Sequence, residues 1–147
     1  MDSAYSSLAA DMAGFNDDII DEFRANEGRV GGMFEGKPLL LLTTTGARTG
    51  QPRTAPLAYF SEGERLYVFA SKGGADDNPL WFGNLLADPK VTVEVGTERF
   101  TATATPLAGE ERDRIWAAQK VATPSFAEYE KKTARVIPVI ALDRDPA

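Results

Sequence analysis

Between Pro38 and Gly46 the chain runs LLLLTTT, four leucines and three threonines without a charge. Apolar and β-branched residues packed this densely over Leu39–Thr45 read as a buried strand. The segments after it keep the same texture. Gly46–Pro52 (GARTGQP) is a turn-rich connection, Arg53–Ser61 a second strand, Glu62-Gly63-Glu64 a hairpin turn and Leu66–Ser71 a third strand. Val91–Val95 and Arg99–Leu107 form another hairpin around Gly96-Thr97, and Val136–Leu142 closes the chain as a last strand. About six strands in hairpin order exclude the alternation that builds a doubly wound parallel sheet. An antiparallel barrel with attached helices is the architecture that fits.

The helices fall at the front, middle and end. Residues 3–35 read as helical and peripheral, with Asn16 as a cap, Ile19, Ile20 and Phe23 on one face and Gly28 as the stop. Glu27–Gly36 holds four glycines and reads as a flexible connection. Lys72–Asn78 is a loop, after which Asn78-Pro79 supplies a cap and first residue for a helix over Leu80–Ala87. Glu110–Val121 is helical, with Ile115 and Trp116 inward, and Ser125–Thr133 is a short helix whose Ser125 and Glu128 match a capping box.

Composition narrows the chemistry. The 147 residues suit one domain, in which roughly 70% of the unfolded chain's surface is buried on folding. There is no cysteine and no histidine. Thiolate metal sites, iron–sulfur clusters, disulfides, thiol nucleophiles and Ser-His-Asp triads are therefore excluded, and no metal is expected. A chain left with carboxylates, Lys, Tyr, Ser/Thr and backbone is a binding module or one whose cofactor carries the hard chemistry. The net charge of −6 resides in residues 1–35, where eight acids face Arg24 and Arg29; the remainder is neutral. Gly36–Ser61 contains Lys37, Arg48 and Arg53 and no acid, which suits a small anionic ligand but not the broad basic face that nucleic acid requires. No apolar run approaches the length of a membrane span, and the N-terminus lacks the order of a signal peptide, so a cytoplasmic protein is expected.

Three groups are candidates for a site. Thr43–Pro56 (TTTGARTGQPRTAP) sets Arg48, Thr49 and Arg53 around Gly46 and Gly50, where backbone N–H groups and guanidinium forks could hold phosphate or carboxylate. Each charge-assisted bond there would contribute roughly 1.5–3 kcal/mol. The sequence is not a Walker A loop, and an exposed hairpin with solvated arginines is the plain alternative. Ser71-Lys72-Gly73-Gly74 ends a strand in a hydroxyl, a cation and two glycines, and reads either as a seat for a flat ligand or as an ordinary turn. Trp81 and Asn84 share a helix face and could contact a ring system, unless Trp81 and Phe82 are simply core. Thr123, Phe126 and Tyr129 are the third group, a stripe in which Tyr129 alone can donate a proton to a reacting centre.

Taken in order, FRANEGRVGG (23–32), LLLLTTTGARTGQPRTAPLAY (39–59), ASKGGADDNPLWFGNL (70–85), GEERDRIW (109–116) and TPSFAEYEKKTARVIPVIAL (123–142) resemble the deazaflavin-dependent nitroreductase and quinone reductase family, whose members use coenzyme F-420. The resemblance spans about residues 22–143. It implies a mainly β (α+β) fold, a split antiparallel β-barrel of the flavin-binding type with flanking helices, with residues 36–147 as the deazaflavin-binding domain behind an acidic helical segment at 1–35. It implies that Arg48, Thr49, Gly50 and Arg53 take the phosphate and anionic tail, with Lys37 nearby. Thr54, Ala55, Pro56, Leu57 and Ala58 would line the tricyclic ring, and Phe69, Ala70, Ser71 and Lys72 would contact ring and ribityl chain. Leu80, Trp81, Phe82, Gly83 and Asn84 would close the other side, and Thr123, Phe126 and Tyr129 would border the substrate.

The activity so implied is hydride transfer to quinones, conjugated enones or nitroaromatics, the proton following from Tyr129, Ser71 or water. Alternatives are a barrel that binds FMN or haem, or a module that stores the deazaflavin without turnover. Nitroimidazole-activating members often carry tyrosines where this chain has Thr123 and Phe126, which argues against a tyrosine-lined pocket. The partner implied is a small-molecule electron acceptor; a monomer without membrane association is expected.

Overall fold

Strand β1 (Leu39–Thr45) feeds two cores at once: Leu40 and Leu42 point into a barrel, while Leu39 and Leu41 point outward against a helix. The period of two along a strand produces this division, and burial on both faces explains the unbroken leucine run. In the computed structural model, which describes residues 16–34, 36 and 38–146, six strands close into one barrel. The others are β2 (Pro52–Glu62), β3 (Arg65–Phe69), β4 (Lys90–Val95), β5 (Glu98–Pro106) and β6 (Val139–Arg144). The order is β1-β2-β3-β6-β5-β4, every pair is antiparallel, and β1 pairs with β4 to complete the circle.

Three helical layers surround it. Helix α1 (16–25) lays Ile19, Ile20 and Phe23 on Leu39 and Leu41. Helix α2 (Leu80–Ala87) drops Trp81 and Leu85 into the barrel core. Helices α3 (Gly109–Ala122) and α4 (Ser125–Lys131) cover the outer face of β3 and β6, where Ile115, Trp116 and Phe126 meet Tyr67, Phe69, Val139 and Ala141. The helical reading of residues 3–15 and the mention of Lys37 lie outside the described residues.

The barrel of six strands is present, as are helices in the expected places at 16–25, 80–87, 109–122 and 125–131, with local corrections. The glycine-rich stretch before Pro38 is not a loose connection where it is described. Gly28 stops α1 as expected, its N–H donating to the Phe23 carbonyl at 2.8 Å, but its φ of +91° also lets it lie on the β4–β5 turn. A Cβ there would stand 2.6 Å from the Gly96 Cα. Val30 is buried beside it in the α1 core. Neither side-chain cap forms: Pro79 and Pro124 occupy the cap positions of α2 and α4, leaving Ser125 inside its helix and Asn78 free for another partner. Strand β6 begins at Val139 rather than Val136, because Pro138 has no N–H and the Ile137 carbonyl is taken by Arg112 at 2.6 and 3.2 Å.

Candidate active site

Strand β2 lies between two strands whose outer faces are covered by helices. The register sets Ala58, Pro56 and Thr54 opposite Leu39, Leu41 and Thr43, so these three point outward. Helix α1 covers β1 on one side and α3 and α4 cover β3 on the other. Between them Thr54, Pro56 and Ala58 are half-buried, and none carries a long side chain. From Arg53 to Ala58 the strip is about 17 Å long at the usual rise per strand residue. Ala55 and Leu57, expected to line a ring, instead face the barrel core and can offer a ligand only their backbone.

At one end of the strip lies the β1–β2 connection. Gly46 and Gln51 close it, the Gly46 N–H donating to the Gln51 carbonyl at 2.8 Å. The Thr49 hydroxyl turns inward and accepts the Gln51 N–H at 3.2 Å, while Gly50 supplies a φ of +70°. A side chain at Gly46 would meet that hydroxyl at 2.8 Å, so the tight turn depends on glycine. Arg48 and Arg53 project from this frame, exposed, and no described carboxylate pairs with either. Asn84 of α2 holds the loop: its Oδ1 accepts the Ala47 N–H at 3.0 Å and its Nδ2 donates to the Thr44 hydroxyl at 3.2 Å.

Next comes the turn that follows β3. The β2–β3 ladder ends where Tyr59 faces Val68, and Ser71, with helical φ and ψ, starts the turn. Lys72, Gly73 and Gly74 are all left-handed, with φ of +48°, +64° and +88°. Lys72 reaches across the loop to Asp77 at 3.0 Å, and that contact holds the Asp77 carboxyl below its usual range. Gly74 packs on α4 so closely that a Cβ would lie 2.8 Å from the Tyr129 carbonyl oxygen. The structure thus brings the Ser71 turn and the Tyr129 helix together. Phe69 and Ala70 are buried in the two cores rather than presented to a groove.

Of the α2 residues, Leu80 (88% exposed) and Gly83 lie on the surface, Phe82 is half-buried and Trp81 is core. Trp81 and Asn84 point different ways rather than sharing a face: the indole goes into the barrel and the amide goes to the loop. Thr123 terminates α3, its N–H donating to the Gln119 carbonyl at 2.8 Å. Phe126 is buried among Phe69, Trp116 and Tyr129, with ring centroids 5.7, 6.1 and 5.1 Å away. Tyr129 is half-buried, one ring outward from that stack.

A residue not singled out from the sequence, Arg135, donates to the carbonyls of Ala70, Ser71 and Ala75 and to the Asn78 side chain. A lone arginine entering an apolar strand was its sole signal.

A family model described as F420H(2)-dependent quinone reductase matches residues 18–144. The chain belongs to that family. An F420H(2)-dependent quinone reductase of Mycobacterium tuberculosis is 40% identical over 126 residues, covering 83% of this chain and 85% of the relative. A solved F420-H2 dependent reductase is 41% identical with a TM-score of 0.67, covering 72% of this chain and 94% of its own. A further solved structure, described as a domain-swapped dimer, is 41% identical with a TM-score of 0.68, covering 72% of this chain and 80% of its own. The F420H(2)-dependent quinone reductase family accounts for the split barrel, the enzyme class and coenzyme F-420 as the cofactor. The outer face of β2 fits that cofactor: it is half-buried, carries only short side chains from Thr54 to Ala58, and ends at two arginines that no described carboxylate pairs with. Among the described residues no helix could cross a membrane.

Proposed function

We propose that this chain reduces quinones with reduced coenzyme F-420 bound along the outer face of β2. The observation that carries the reading is the outer face of β2 between two covered strands, with Arg53 and the Arg48 loop at one end, then Thr54 and Pro56, and Ala58 packed at the other end against the core that Tyr129 also borders. Arg48 and Arg53 hold the anionic end; with no described carboxylate paired to them, their guanidinium forks are offered to phosphate or carboxylate oxygens. Thr54, Pro56 and Ala58 support the flat ring system, and the backbone of Ser71 and Lys72 borders it. The exposed Leu80 and Gly83 close the side next to the loop. Phe126 supports the ring of Tyr129, which with Thr123 borders the acceptor.

When bound, the reduced cofactor supplies a hydride, two electrons with one proton, from carbon 5 of its deazaflavin. The residues bordering the strip would hold the acceptor beside the bound coenzyme, and the second proton needed for the quinol would come from the Tyr129 hydroxyl, the Ser71 hydroxyl or water. Conjugated enones and nitroaromatics are electrophiles of the same kind and belong to the proposed acceptor range.

Mixing the protein with reduced coenzyme and menadione is expected to speed the return of the oxidised deazaflavin's visible absorbance. A rate equal to the protein-free control across quinones, enones and nitroaromatics would overturn the reading.

A further inference from the structure

The connection from β3 to α2, residues 70–79, folds around one guanidinium. Arg135 Nε donates to the Ala75 carbonyl at 2.8 Å, Nη2 to the Ser71 carbonyl at 2.9 Å, and Nη1 to both the Ala70 carbonyl at 3.1 Å and Asn78 Oδ1 at 2.8 Å. Four of the five N–H groups of an arginine are thereby engaged. The acceptors converge because Lys72, Gly73 and Gly74 take three left-handed steps in succession, a backbone path that for Lys72 is disfavoured by its Cβ. Arg135 itself follows α4, where its N–H donates to the Thr133 hydroxyl at 3.2 Å. Gly74 meets that same helix at the Tyr129 carbonyl. One side chain therefore ties the Ser71–Lys72 turn to the segment that carries Tyr129.

We infer that Arg135 is a positioning residue of the reductase site, holding the Ser71–Lys72 turn at a fixed distance from the helix that carries Tyr129. The inference rests on the cofactor placement proposed above. A guanidinium suits the task because its planar fork reaches acceptors on several sides, whereas a lysine ammonium is a compact point donor.

The test compares the full-length wild type with Arg135→Ala and Arg135→Lys, each held well below its own Tm. Hydrogen exchange of amides 71–78 is expected to speed by about tenfold or more in Arg135→Ala while the barrel amides keep their wild-type rates. Fluorescence titration with oxidised coenzyme F-420 is expected to give a Kd raised about tenfold, with Arg135→Lys in between. Added guanidinium chloride, at concentrations too low to unfold the protein, should restore part of the affinity of Arg135→Ala and leave the wild type unchanged. An unaltered Kd in the folded alanine variant, or faster exchange spread evenly over the barrel, overturns the positioning role. If the alanine variant does not fold, a wild-type Kd and wild-type exchange in Arg135→Lys overturn it equally. A wild type that fails to bind the coenzyme overturns the proposed function itself, which separates the two failures.

Discussion

Asn84 Nδ2 donates to the Thr44 hydroxyl at 3.2 Å while Asn84 Oδ1 accepts the Ala47 N–H at 3.0 Å, so one amide joins α2 to the end of β1 and to the arginine loop beyond it. Thr44 is buried at the mouth of the barrel, where a hydroxyl needs a partner. Loss of both bonds in Asn84→Leu should lower stability by about 1–3 kcal/mol, at a net 0.5–1.5 kcal/mol per bond. It should also free the loop and weaken coenzyme binding severalfold. Denaturant unfolding and fluorescence titration measure the two effects separately, and Asn84→Asp, which keeps the acceptor for Ala47, should retain more stability than the leucine variant.

Arg48→Ala and Arg53→Ala should behave in the opposite manner. Both side chains are exposed and no described carboxylate pairs with them, so stability should stay within about 0.5 kcal/mol of wild type. Binding should suffer, by about 10-fold or more for each, because a charge-assisted bond contributes roughly 1.5–3 kcal/mol. The affinity of the wild type should fall as salt is added, and the double variant should lose most of that dependence. Titrations at two ionic strengths decide it.

These two sets of residues show what the chain discloses about itself. Leu39–Thr45 was legible because burial on both faces writes a continuous apolar run, and Arg48 and Arg53 stood out for the missing acids around them. That β2 lies between two covered strands was not legible, since that depends on where α1, α3 and α4 come to rest. Trp81 illustrates the same limit: helical spacing places it beside Asn84 but does not say which of the two points into a barrel. Arg135 was hidden for another reason. Its acceptors are carbonyls 60 to 65 residues away, and backbone acceptors leave no mark in side-chain identity. The Ser125–Glu128 pattern misled because Pro124 takes the cap position.

Glu130 gives the fold an acid sensitivity near the substrate helix. It accepts from the Trp116 indole N–H and from Lys120 at 3.1 Å, and these contacts, the indole first, hold its carboxyl below the usual range. A carboxyl depressed in the folded state stabilises the protein above its unfolded pKa, and that contribution fades as pH falls through the lower folded value. Glu130→Gln should therefore be less stable than wild type at neutral pH, by on the order of 1 kcal/mol or less given that the side chain is 45% exposed and screened. The gap should close as the pH drops below about 4.3, the ordinary glutamate value. A gap that persists unchanged in acid would place the loss in packing instead of charge.

Tyr129→Phe separates the ring from its hydroxyl. The ring lies 5.1 Å from that of Phe126 and half-buried, so phenylalanine keeps the packing and should leave stability within about 0.5 kcal/mol of wild type. Coenzyme binding along β2 should also be preserved, because the hydroxyl lies on the acceptor side of the proposed arrangement. If Tyr129 supplies the second proton, turnover with menadione should fall by about 10²-fold or more, the usual contribution of a positioned general acid. A solvent deuterium effect on the wild-type rate that disappears in Tyr129→Phe, once another donor or the hydride step takes over, would support the assignment. Unchanged turnover in the variant would transfer the proton to Ser71 or water, and Ser71→Ala then distinguishes those two.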